Sequence, residues 1–144
     1  MAYHSQSDVE GLFKALSSAG FSFSATSKIT STEVAGYIAD TDRYIDTRLG
    51  KYYVTPVTDA DAILILKPVA AQLTAAKCWR ILYAAQPGES NKAREWEKLS
   101  DDVLKMIIAD KLVFGSATKV GSPNSPWSST SDSTPIWEMK TDQW

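Results

Sequence analysis

The sequence predicts a mainly α fold, a small helical bundle around a long central helix, with an extended connector and a long irregular C-terminal arm. Three observations carry this. One stretch, Ile63 to Ala85 (ILILKPVAAQLTAAKCWRILYAA), is apolar on nearly every side. Three further segments repeat apolar residues at helical spacing on one side only, and after Phe114 that periodicity stops. The expected division is therefore a helical domain over residues 1–115 and an arm over residues 116–144.

The central stretch has only Lys67, Gln72, Thr74, Lys77 and Arg80 as polar members. Apolar side chains all round mark a helix covered by its neighbours, and at 1.5 Å per residue it would run about 35 Å. Charges recurring every turn or so argue against a bilayer span, which needs about 20 nearly uninterrupted apolar residues. Pro68 removes one backbone hydrogen bond, so either the helix kinks there or Pro68 opens it; one kinked element is the preferred reading. Asp59 and Asp61 stand where a cap and an acidic first turn suit the helix dipole.

Ahead of it, Val9, Leu12, Phe13 and Leu16 follow the i, i+3, i+4, i+7 pattern of a short amphipathic helix, capped by Ser5 or Ser7 and stopped at Gly20. Phe21 to Ile29 alternates apolar and hydroxyl residues, which fits a strand or an extended loop with Phe21 and Phe23 pinned to the core. Thr30 or Ser31 then caps a second helix, and Glu33 completes a capping-box pattern with Thr30. Its inner face is Val34, Tyr37, Ile38, Thr41, Ile45 and Leu49, its outer face Asp40, Asp42, Arg43, Asp46 and Arg48, and Gly50 ends it. In Lys51 to Val57, β-branched and aromatic residues with Pro56 predict an extended connector. After a Pro87-Gly88 turn, Ser90 caps a last helix with the stripe Ala93, Trp96, Leu99, Val103, Leu104, Ile107 and Ile108. Its short link to the central helix makes the two antiparallel neighbours that share Trp79 and Trp96 in one core.

Chemistry has little to build on. The formal charge is −2, from 15 Lys and Arg against 17 Asp and Glu, so no cationic excess invites nucleic-acid phosphates. Cys78 is the single cysteine and reads as a small core hydrophobe, which leaves no disulfide and no zinc pair. The start, MAYHSQSDVEG, has no basic segment followed by an apolar run, so a reducing cytoplasm is the expected setting. His4 is the only histidine and is expected in a frayed terminus, which disfavours Ser-His-Asp and Cys-His arrangements. The seven glycines are scattered and form no phosphate cradle. Asp40, Asp42 and Asp46, or Asp59 and Asp61, lack calcium-loop spacing and read as a solvated face and a cap. No enzyme, metal or cofactor is expected.

The arm carries Trp127, Trp137 and Trp144, three of the five tryptophans, in a Ser-, Thr-, Gly- and Pro-rich context. Such a composition cannot offset its own ordering entropy alone. Large rings of this kind dominate interfaces, so Trp127, Ile136, Trp137, Met139 and Trp144 are the candidate docking residues, the alternative being a tail that folds back on its own domain. Lys77 and Arg80, with Asp42, Arg43 and Asp46, are candidates for a contact between copies, the alternative for the cations being stems packed on the core with heads in water.

Taken in order, the D-V-E-G-L helix, STEVAGYIADTDRYIDTRLGKYYVTPV, the Ala-rich helix ending CWRILYAA and REWEKLSDDVLKMIIADKLVFG resemble the head-to-tail connector (adaptor, or head-completion) proteins of tailed bacteriophages. The likeness covers Tyr3 to Gly115, and its most telling piece is I-x-x-x-D-x-x-I-D-x-x-L-G-x-x-Y from Ile38 to Tyr53. It implies a structural virion protein at the head-to-tail junction, assembled in the bacterial cytoplasm. Copies would form a ring, usually twelvefold, beneath the portal protein, pass genomic DNA without sequence-specific binding, and dock a stopper or tail-completion protein. By the same likeness residues 122–144 would embrace the portal. The alternatives are another neck or tail-completion component and, from a different class, a small DNA-binding packaging accessory.

Overall fold

The computed structural model describes residues 2–16, 21–86, 88 and 90–120. Four helices follow one another: α1 (Gln6–Leu16), α2 (Ser31–Leu49), α3 (Ala60–Leu82) and α4 (Ser90–Ile108). Helix α3 touches each of the other three, and α4 is its most extensive neighbour. By length and composition α3 could cross a membrane; here α1, α2 and α4 take up its apolar sides. It runs through Pro68 as a single helix.

The helix ends follow local chemistry. Thr30 accepts from Glu33 N–H while the Glu33 carboxylate accepts from Thr30 N–H, a complete capping box. Asp59 caps α3 by accepting from Ala62 N–H at 2.9 Å. Chain entry to α1 is organised by Ser5, whose N–H and hydroxyl both donate to the Asp8 carboxylate. Ser90 is already the first helical residue of α4, one place further in than the expected cap. The expected stop at Gly20 lies outside the described residues.

Residues 21–29 form turns with no strand pairing, and Phe23 and Ile29 are buried. The connector after α2 is extended as expected, with a cis Thr55–Pro56 bond. Two corrections concern one expected face and the start of the arm. On α4, Leu99 is exposed and Ser100 takes the inward place, because the stripe turns toward α3 through 96, 100, 104 and 107. Residues 116–120, assigned to the arm, return to the bundle: Tyr53 and Lys119 form an antiparallel bridge, with Val54 N–H donating to Thr118 O and Val120 N–H to Tyr52 O. The chain from 118 to 120, lying beside the connector, supplies backbone partners that composition could not reveal.

The core has two parts strung along α3. The first half of α3 holds an aliphatic cluster, including Ile45, Leu49, Leu66, Val69, Leu104 and Ile107, closed by Tyr53 and Phe114. The second half holds an aromatic cluster, including Phe13, Phe23, Trp79 and Trp96. Trp79 and Trp96 meet edge-to-face at 5.5 Å between centroids, as the shared-core reading requires. Between the clusters lies a buried polar layer of His4, Thr41, Thr74 and Ser100.

Candidate functional site

The residues expected to meet another copy do not form one face. Arg43 is exposed beside Asp40 at 3.5 Å. Asp42, expected outside, is 8% exposed, and Asp46 is half-buried. Both are covered by residues 2–5, which lie across α2 as a strap. Tyr3 N–H donates to Asp42 Oδ1 at 3.4 Å, and the Tyr3 hydroxyl donates to Asp46 while accepting from Val57 N–H. Burial and the Asp46 carboxylate push the Tyr3 phenol above its ordinary range.

His4 overturns the expectation of a frayed end. It is 5% exposed, and its Nε2 lies 2.9 Å from Thr74 Oγ1, with Asp42 Oδ1 3.6 Å from Nδ1. Burial pushes the imidazole down to about 4. Tyr3 and His4 were missed because two residues before a helix show no periodicity. A signal existed: Thr41 and Thr74 on inward helix faces need polar partners, and the chain has one histidine to offer.

On the other side of α2, Lys77 borders a groove of roughly 360 Å³ lined by Thr41, Tyr44, Leu73, Glu97, Asp101 and Leu104. Arg80 pairs with Glu97 at 2.7 Å, and Arg48 spans from α2 to Asp101 of α4 at 2.8 Å. Lys67 reaches Asp8 of α1 at 3.1 Å. The cations of α3 thus serve partly as ties within the chain, their stems on the core and heads at the rim. The candidate docking residues Trp127, Ile136, Trp137, Met139 and Trp144 lie outside the described residues.

Remaining reactive groups have structural surroundings. Cys78 is buried and its thiol is pushed up to about 12, which suppresses the nucleophilic thiolate. Asp59 accepts from both Ala62 N–H and Ser116 N–H. Among the described residues no three His, Cys, Asp or Glu side chains gather as a metal site. The motif from Ile38 to Tyr53 is accounted for by packing and by the strap, beginning with Ile38, half-buried against the aromatic cluster. Ile45 and Leu49 are buried, Asp42 and Asp46 hold the strap, and Gly50 caps α2. The Tyr53 hydroxyl, with its ring in the core, lies 3.3 Å from Ile107 O and 3.2 Å from Asp110 Oδ1.

No protein-family model, no curated protein and no solved structure matches the chain.

Proposed function

We propose that this chain is a structural virion protein, the head-to-tail adaptor of a tailed bacteriophage. Copies form a ring beneath the portal, extend the DNA channel and dock the next connector or tail component. The observation that carries the reading is the stretch from Ile38 to Val69. The motif on which the resemblance rests supplies the packing and strap contacts of α2, and it leads through a proline-containing extended segment into a long Ala-rich helix. These residues build a scaffold, which suits a subunit whose work is assembly. A ring uses two different patches of each copy. Here the groove beside Lys77 and the tryptophan-bearing segment beyond Val120 are the two candidates.

The test is mass measurement of the purified chain, alone and mixed with the portal ring of the virus that encodes it. The full chain should join the portal as a defined ring. A chain ending at Val120 should stay folded, keep its helical circular dichroism and lose portal binding. A full chain that ignores the portal at micromolar concentration would sink the reading.

A further inference from the structure

The polar layer contains an unmet requirement. The Thr74 hydroxyl donates its one proton to Thr41 Oγ1 at 3.0 Å, so toward His4, 2.9 Å away, it can only accept. His4 Nε2 therefore carries the hydrogen and Nδ1 presents a bare lone pair. Among the described residues, Nδ1 is the one buried side-chain nitrogen or oxygen with no hydrogen-bond partner. It faces Asp42 Oδ1 at 3.6 Å, with the imidazole 0% and the carboxyl 11% exposed. That gap is too long for a hydrogen bond, and both atoms facing across it are acceptors.

We propose that the gap between His4 Nδ1 and Asp42 Oδ1 is a proton-binding site, and that one proton held there latches the strap of residues 2–5 to α2 and α3. The proton comes from water in the open cleft that both His4 and Asp42 border, with Ala2, Ala39, Arg43 and Asp46; Asp42, whose carboxyl is the more exposed of the two, takes it up. It sits on the carboxyl oxygen and is donated to Nδ1, so the pair becomes neutral and the orphaned acceptor is satisfied. A second proton would place a cation in a buried layer.

The surroundings act in the same sense. Burial lowers His4, opposed by Asp8 of α1, which is itself paired with Lys67 of α3. Burial raises Asp42; Tyr3 N–H opposes this, and the Asp46 charge adds to it. Arg43, on the cleft rim, is engaged with Asp40. Both directions favour a neutral imidazole opposite a protonated carboxyl. The raised Asp42 contributes most at low pH, and its contribution is lost as pH rises through its folded value. The lowered His4 contributes fully above about 6.5, and that contribution is lost as pH falls toward about 4. The latch therefore loosens on both sides, as pH rises through the raised Asp42 value and as it falls toward about 4 at His4.

Because His4 is the only histidine, an untagged full-length chain labelled with ¹⁵N-histidine gives one pair of ring-nitrogen signals. The expected result is a protonated Nε2 throughout the folded range. Nδ1 should shift in a single step as Asp42 gives up its proton. In Asp42→Asn the amide N–H donates permanently to Nδ1, so the step should disappear. The reverse tautomer in the unaltered chain overturns the proposal without any variant, and so does a step that survives Asp42→Asn unchanged. Neither outcome depends on the virion reading, which the portal-binding experiment decides separately.

Discussion

The two halves of the core solve the same problem with different materials. The aromatic half fills its space with rings, and small residues such as Ala75, Ala76 and Ala93 let those rings approach the helices. Phe13 alone lies within 6.1 Å, centroid to centroid, of Phe21, Phe23, Trp79 and Trp96. The aliphatic half is filled by branched chains from three helices and closed by pieces from distant parts of the sequence, Tyr3, Tyr53, Val57 and Phe114. Its closing pieces are held by polar ties such as Tyr3 to Asp46 and Ser116 N–H to Asp59. One half depends on a few large contacts, the other on many separate fastenings, so damage should spread differently in each.

The largest effect is expected at the aromatic half. Trp96→Ala, at a position 5% exposed, removes the edge-to-face partner of Trp79 and should cost about 3–5 kcal/mol. Denaturant unfolding checks the size, and a loss under about 1 kcal/mol would mean that the ring cluster is dispensable.

At the aliphatic half, a single fastening can be broken at Gly115. Its φ of +52° suits glycine, and a Cβ there would stand 2.1 Å from Asp59 Oδ2, so a side chain must displace the α3 cap. Gly115→Ala should lower stability by about 1–3 kcal/mol, the sum of a left-handed backbone penalty and a lost cap. In an Asp59→Ala background that penalty should shrink, because the clashing carboxylate is gone. Equal penalties in both backgrounds would contradict the geometry.

The smallest effect belongs to the rim of the aromatic half. Thr30→Ala removes the hydroxyl of the α2 capping box and should cost about 1 kcal/mol. Thermal melts should show a shift of a few degrees with a single transition retained. A loss as large as that of Trp96→Ala would remove the contrast between rings and fastenings.

Much of this architecture was legible in the chain. Helical periodicity located all four helices, the Thr30 and Asp59 caps were readable because capping is local chemistry, and the Trp79–Trp96 contact followed from a short link between long helices. What escaped depends on partners far away in sequence. Asp42 looks solvated on a helical wheel, and only the strap, 39 residues earlier, buries it. Leu99 and Ser100 exchange places because the packing angle against α3, not hydrophobicity, selects the inward position. Residues 116–120 read as arm because an extended pairing of so few residues leaves no pattern. For the candidate contact residues, the sequence supplied names but not sides: α2 places Asp42 and Asp46 under the strap and turns Tyr44 to the groove beside Lys77.

The bridge between Tyr53 and Lys119 has a mechanical meaning. Anything that grips the chain beyond Val120 pulls first on the two main-chain hydrogen bonds joining residues 118–120 to 52–54, and then on Tyr53, whose ring is wedged against Phe114. Traction thus enters the molecule at its many-fastened end. The tryptophan pair sits past the polar layer, about two and a half helical turns further along α3 from Ala70, where that load arrives last.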